Sequence, residues 1–246
     1  MKSIMCTLCC LLTIGLLPLT AQKFEGVIKI KAEAINENIN MVITVKGDMI
    51  HLSMIEEGST RGMKMISNNE TGEMVTLAEK DGKKVAIKMG ADMIGMDGDI
   101  NTTTPASENK SKITVTKDEK VIDGYKCIKV LGEDDNNKVV AWVAKDLKFS
   151  LFDLFPGIQA ATAENGGELI EQIMKEGFAL EVVDTDKNTK EVRKLVADVD
   201  EKKVDGAIFQ YPESEYKIYD LGNMMEIMND PEKMKELQEI MEIIGN

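Results

Sequence analysis

Apolar and polar residues alternate through most of the chain, which predicts antiparallel β-strands joined by tight turns. The stretch "VIKIKAEA" (27–34) alternates apolar and charged residues. The stretch "MVITVKGDMIHLSM" (41–54) places two apolar runs around Lys46-Gly47-Asp48. Two such runs around a short turn predict a β-hairpin.

The same pattern continues along the chain with short connections, which predicts a β-meander. Asp81-Gly82 favours the type I′ geometry of a two-residue hairpin loop, and Asp123-Gly124 is a second turn signal. The further predicted strands are "RGMKMIS" (61–67), "EMVTLAEK" (73–80), "KVAIKM" (84–89), "KITVTKDEKVI" (112–122), "YKCIKVLGE" (125–133), "KVVAWVAKDL" (138–147), "FALEVVD" (178–184), "KEVRKLVADVD" (190–200) and "AIFQYP" (207–212).

Two segments have a helical period instead. The stretch "GELIEQIMKEG" (167–177) ends at Gly177, a suitable C-terminal cap, and its helical face consists of Leu169, Ile170, Ile173 and Met174. In the tail, Asp230 is a candidate N-cap and Pro231 suits the first helical position. The apolar stripe that follows consists of Met234, Leu237, Met241 and Ile244.

These patterns predict an α+β fold: a large, curved antiparallel sheet in the form of an open half-barrel, with helices covering its concave face. A long sheet has edges and an apolar face that must be covered, and the Phe-rich segment described below is the candidate cover. We predict a signal peptide at 1–21 and a single β domain at 22–222, with a helical insertion at about 149–176. A C-terminal amphipathic helix is predicted at 223–246.

The first residues have the pattern of an export signal: Lys2, the apolar run "IMCTLCCLLTIGLLP", and small residues before Gln22. The run is shorter than the ~20 residues needed to span a bilayer, so we expect a soluble exported protein. Cleavage would leave Cys127 as the only remaining cysteine. A single thiol cannot form an internal disulfide, and we expect it to be a small buried apolar residue.

The formal net charge of -13 at pH 7 disfavours nucleic acid as a partner. The single histidine, His51, alternates with Ile50 and Leu52 and is expected at the surface of a half-buried strand. The motifs of Ser-His-Asp hydrolases, zinc sites, P-loops and dinucleotide sites are missing. We therefore expect a non-enzymatic protein with no cofactor and no metal centre.

The segment "LKFSLFDLFPG" (147–157) holds three of the six phenylalanines at a spacing of three, next to a Pro-Gly break. Such residues can lie along one side of a helical turn and enter an apolar cavity as a lid. Alternatively, they fill the core permanently. The predicted ligand contacts are Phe149, Phe152, Phe155, Trp142, Met93 and Met96.

Methionine is abundant, with 17 residues. Three interpretations remain open: ordinary core packing, an apolar pocket that adapts to its ligand, and a Cu(I) site built from thioethers.

A family resemblance rests on three stretches: "FEGVIKIKAEA", "DGYKCIKVLGE…VVAWVAKDL" and "KKVDGAIFQYPESEY". Together they resemble the exported bacterial family catalogued as domain of unknown function 4412, whose fold is thought to be similar to the LolA and LolB lipoprotein carriers. The resemblance implies an open barrel with a hydrophobic concave face. It also implies that Gly124 and Tyr125 lead into a strand, that Trp142 lies on the next strand, and that 209–212 closes the last one.

The leading hypothesis is a non-enzymatic protein, in the periplasm of a Gram-negative bacterium, that binds a lipid or acyl chain in the open barrel. The alternative is an envelope protein-protein interaction module without a ligand. A methionine-rich Cu(I)-binding protein is the third possibility.

Overall fold

The computed structural model describes residues 24–33, 38–56, 62–80, 82–90, 111–147, 149, 167–221 and 230–235 of the 246-residue chain. The strands are β1 (Glu25–Glu33), β2 (Asn38–Lys46), β3 (Met49–Glu56), β4 (Gly62–Asn68), β5 (Glu73–Lys80), β6 (Lys83–Met89), β7 (Lys112–Ile122), β8 (Tyr125–Glu133), β9 (Asn137–Ala144), β10 (Phe178–Asp186), β11 (Val192–Glu201) and β12 (Lys217–Asp220). Helix α1 spans Gly167–Met174, and two 3₁₀ helices, η1 and η2, span Gly206–Phe209 and Glu213–Glu215.

All twelve strands belong to one open sheet, in the order β12-β6-β5-β4-β3-β2-β1-β11-β10-β9-β8-β7. Local hairpins build two arms, β1 to β6 and β7 to β11, and β1 joins them by pairing with both β2 and β11. The turn between β7 and β8 has positive φ at Asp123 (49°) and Gly124 (86°). The predicted meander is therefore confirmed within each arm, together with the turn into β8 and the place of Trp142 on β9. It does not continue from β6 to β7, which lie in different arms, and Asp81 of the other predicted turn lies outside the described residues.

One face of the sheet carries a continuous row of cross-strand neighbours that is almost entirely apolar. Residues directly opposite in register share a face, so the pairing alone defines this row. From β11 to β12 it consists of Val199, Ile28, Ile43, Leu52, Met65, Thr76, Ile87 and Tyr219. We call this side the apolar face; at its centre, Ile28 is fully buried and Ile43 is 2% exposed.

The opposite face of β3 to β6 is covered by the segment 202–216, which we call the strap. Asp205 caps η1 by accepting a hydrogen bond from the Ala207 amide at 3.0 Å. Further along the strap, Phe209, Tyr211 and Tyr216 pack over Ile66, Leu77 and Ala86, which are all buried. The strap carries the chain across the sheet to β12, which pairs in parallel with β6.

Helix α1 is short and packs on the β7–β10 arm. Gly132 makes room for it, because a Cβ there would lie 2.8 Å from Ile173 Cδ1 and 3.0 Å from Leu169 Cδ1. The cluster beneath the helix consists of Val130, Val139, Ala141, Val143, Ala179 and Val182. A β-bulge between Ala179 and Glu181 interrupts the register of β10. Phe178 and Leu180 belong to the central core rather than to the cluster beneath the helix.

The predicted α+β class is wrong: the described residues are nearly all β and form one open sheet. The expected helical cover is also wrong. Helix α1 has eight residues and packs mainly on one arm, and the helical turn at 231–235 leaves Met234 38% exposed. The Asp230 cap itself is present, since its Oδ1 accepts the amide of Glu232 at 2.9 Å.

The predicted strand at 207–212 is wrong as well, because η1 and the strap occupy this segment. The last strand that the structure describes is β12 at Lys217–Asp220, which the sequence pattern did not indicate. The Asp205 side chain caps a helical turn at the start of this segment. At its end, Pro212 has no backbone N–H to continue a strand ladder.

Candidate functional site

Six methionines lie on the apolar face of β2 to β6, and we call them the methionine surface. The register places Met41, Met54 and Met63 side by side on β2, β3 and β4. Met74 and Met89 are opposite each other on β5 and β6. The sixth, Met65, lies between Leu52 and Thr76.

All six of these methionines are half-buried, whereas the branched residues at the centre of the same face are buried. Methionine has three rotatable side-chain bonds and a polarisable sulfur, so it adapts its packing more readily than isoleucine or valine. The apolar face therefore has a close-packed centre around Ile28, Ile43 and Val45 and a more adaptable surface beside it.

One polar side chain interrupts this surface at its β4 strand. Ser67 is 9% exposed and lies between Ile50 and Met74 in the register. Its Oγ is buried and has no hydrogen-bond partner. Buried hydroxyls in native proteins are usually paired, so this one needs an explanation.

The opposite face holds the single histidine. His51 is 9% exposed, which contradicts the expected surface position, and it pairs in register with the buried Thr44 and Ile66. Its Nδ1 is buried without a partner. Burial, and secondarily the nearby charge of Lys64, lower the pKa of His51, so the ring is neutral near pH 7.

Two ion pairs fix the strap against this face. Lys84 Nζ lies 2.6 Å from Glu215 Oε2, and Lys88 Nζ lies 2.8 Å from Glu213 Oε1. The hydrogen bond to each glutamate raises the pKa of its lysine. These ion pairs hold the strap on the face opposite the methionine surface, whose register rows contain no charged side chain on β2 to β6.

Of the predicted Phe-rich contacts, Phe149 falls within the described residues. Its ring centroid lies 4.3 Å from Phe24 and 4.8 Å from Phe178, and it packs on the central core. Phe152, Phe155, Met93 and Met96 lie outside the described residues, so their predicted role stays a prediction.

Trp142 lies on β9, in register with Lys129 and Glu181. Lys120 Nζ is 4.5 Å from the centroid of its ring and also pairs with Glu181. Trp142 is half-buried and packs against the central core as well as this charged cluster, but it does not belong to the register rows of the methionine surface.

The sequence analysis missed the methionine surface. A signal was present, because the methionines of β2 to β6 at positions 41, 54, 63, 65, 74 and 89 follow the same alternation as the buried Ile and Leu residues. It could not be recognised without the register, since cross-strand partners are far apart in the chain.

Cys127 is fully buried and free, as expected for a small apolar residue, and burial raises the pKa of its thiol. Within the described part of the chain, no group of three or more His, Cys, Asp or Glu side chains could hold a metal ion. Among the same residues, no helix has the length and apolarity required to cross a membrane.

Comparisons with known proteins give one family. The family described as "Domain of unknown function (DUF4412)" matches residues 24–216, which is most of the chain. No curated protein matches. The similarity to the LolA and LolB carriers stays a prediction.

Two solved structures of PNGF-II, in the P21 and C2 space groups, are remotely similar at 14% sequence identity, with TM-scores of 0.36 and 0.35. The matches cover 83% and 82% of this chain but only 33% and 32% of those chains. This chain therefore spans about a third of their length, and so distant a likeness carries no functional argument.

Proposed function

We propose that this chain, which belongs to the domain-of-unknown-function family DUF4412, binds a hydrophobic ligand on its methionine surface. The observation that supports the proposal is the set of six half-buried methionines on the apolar face of β2 to β6. An acyl chain is the ligand chemistry that such a surface suits. The protein acts by binding, without catalysis, after export to the periplasm of a Gram-negative bacterium.

Methionine is the residue type that supports this function best. Branched residues such as Ile28 and Ile43, which are at most 2% exposed, suit a surface that is permanently packed in a core. A surface that accepts flexible chains of varying shape is favoured by methionines, because they repack around the ligand. The methionines lie beside these buried residues on β2 to β6, and Met41 and Met65 pack against the cluster that contains Ile28 and Ile43.

The two faces of the β3–β6 region then have different roles. The strap covers one face and buries Ile66, Leu77 and Ala86 with its own aromatic side chains. We place the ligand on the apolar face of the same strands, where the methionines lie.

Native mass spectrometry of the mature protein, purified from its own cells, tests the proposal. We expect a bound lipid-sized mass that denaturation releases. Met63→Gln should reduce the bound fraction, because it puts an amide on the methionine surface. Met234→Gln, on the exposed helical turn, is the matched control and should leave it unchanged. An apo mass for the wild-type protein would contradict ligand binding and favour the protein-protein interaction module.

A second candidate function is Cu(I) binding. The row Met41, Met54 and Met63 brings three thioether side chains together on adjacent strands, and thioethers are soft ligands that select Cu(I). Met54→Leu separates the two functions, since leucine keeps the apolar volume but removes the sulfur. Loss of specific Cu(I) binding in this variant, with lipid binding retained, would support copper; an absence of Cu(I) binding by the wild-type protein would remove it.

A further inference from the structure

Ser67 is the one polar member of a row of five cross-strand neighbours on the apolar face. The row runs through Val45, Ile50, Ser67, Met74 and Met89, on five adjacent strands. No charged side chain belongs to this row. Its first two members are at most 2% exposed, and its last two are half-buried methionines, so Ser67 lies where the packed centre meets the methionine surface.

The hydroxyl of Ser67 has no structural function within the described fold. The residue is only 9% exposed, and its buried Oγ neither donates nor accepts a hydrogen bond. Burying a hydroxyl without a partner destabilises the folded state, whereas an alanine at the same position would carry no such cost. Thr76 is a second buried polar residue on this face, and the rest of the site is apolar. A polar group in such a largely apolar site is typical of a contact that fixes the orientation of a ligand.

We propose that Ser67 donates a hydrogen bond to a neutral carbonyl oxygen of the ligand, so that the surface selects acyl esters over plain hydrocarbons. This inference rests on the proposed function, because it assumes that an apolar ligand occupies the methionine surface. The row around Ser67 is uncharged, and placing an ionised head group there would be costly without a partner. A neutral ester carbonyl meets the hydroxyl without that cost, and its alkyl chain extends over the methionines.

Access to Ser67 depends on its flexible neighbours. Met65 precedes it by two residues on the same strand face, and Met74 lies opposite it on β5. Both are half-buried and have flexible side chains, so we expect a rotamer change of either one to give the ligand access to the Ser67 hydroxyl.

The experiment compares methyl laurate with pentadecane, two probes of similar size that differ in the carbonyl. Both are titrated against the protein loaded with the fluorescent hydrocarbon diphenylhexatriene. We expect the wild-type protein to bind methyl laurate more tightly. Ser67→Ala should weaken methyl laurate roughly three- to tenfold, the effect of losing one neutral hydrogen bond, and leave pentadecane unchanged.

The control is Ser53→Ala, on β3 but on the opposite face, where Ser53 pairs with Val42 and Lys64. It should bind both probes like the wild-type protein. In addition, Ser67→Ala without ligand should unfold at an equal or higher urea concentration, because it removes an unpaired hydroxyl; a lower midpoint would show a structural bond and overturn the inference.

The remaining outcomes are distinguishable. Equal binding of the two probes by the wild-type protein, or a Ser67→Ala effect that is the same for both, overturns the role of Ser67 while the proposed function stands. Failure of diphenylhexatriene and both probes to bind the wild-type protein overturns the proposed function together with this inference.

Discussion

At the scale of single residues, His51 makes the stability of the protein depend on pH. Its pKa in the folded state is lower than the ordinary value of 6.5, because it is buried and near Lys64. Below pH 6.5 the unfolded chain therefore binds a proton that the folded chain does not, and the free energy of unfolding decreases. The decrease continues until the pH passes the folded pKa, and then this contribution levels off.

Urea unfolding between pH 7.5 and 5 measures the effect. His51 is the chain's one histidine, so His51→Gln removes the group that ordinarily titrates near pH 6.5. We expect the wild-type protein to lose stability over this range and the variant to lose less. Equal slopes for the two proteins would contradict a neutral, buried ring at His51.

Gly177 combines an unusual backbone conformation with close packing. Its φ is +141°, and a Cβ there would lie 2.6 Å from the carbonyl oxygen of Ala144. Gly124 is the matched control, since its φ is +86° but nothing lies within 4 Å of a Cβ. We expect Gly124→Ala to cost about 1 kcal/mol and Gly177→Ala about 3 kcal/mol or more in chemical denaturation. Similar costs would mean that Ala144 moves away freely.

A substitution at Phe149 tests whether the Phe-rich segment acts as a lid or as part of the core, because Phe149 is the phenylalanine of this segment that the structure describes. Because its ring packs between Phe24 and Phe178, we expect Phe149→Ala to cost about 2–3 kcal/mol in urea unfolding. If the ring belongs to the core, diphenylhexatriene binding per folded molecule should stay unchanged. A small loss of stability with a large loss of binding would instead support the lid.

At the scale of secondary structure elements, the strap is held mainly by apolar contacts. Phe209 packs over the buried Ile66, Leu77 and Ala86, whereas Lys84 and its partner Glu215 are partly solvated. We expect Phe209→Ala to cost about 2 kcal/mol and Lys84→Ala less than about 1 kcal/mol. Unfolding at low and high salt checks the assignment: only the Lys84 contribution should shrink as salt screens it.

Local patterns predicted the strands well and their neighbours poorly. The predicted bounds of β5, β7 and β8 agree with the structure, because alternation and turn residues are local signals. The pairing of β1 with β11 and of β12 with β6 is non-local, so no sequence window contains it. For the same reason the predicted site omitted Ser67 and the methionine surface, which exist only once five strands are in register.

At the scale of the whole molecule, the open sheet has two edges, β7 and β12. Exposed edges invite pairing with other chains. Strand β12 has only four residues, and β7 breaks its register between Val115 and Glu119, where Lys117 and Asp118 are exposed. These features discourage edge-to-edge pairing: the short length of β12, and the bulge and charged residues of β7. The open sheet can therefore exist without pairing with another chain.

The central place of β1 also sets the order in which the chain can fold. The hairpins of β2–β6 and β7–β10 form between segments that are close in the sequence. The two arms join only when β1 pairs with β11, which brings Ile28 opposite Val199. Bringing such distant segments together costs chain entropy before any contact repays it, so a high contact order and slow folding follow. During synthesis, β1 has a partner on one side only until β11 has emerged from the ribosome, so the nascent chain presents a nine-residue unpaired edge at the position that later becomes the middle of the sheet.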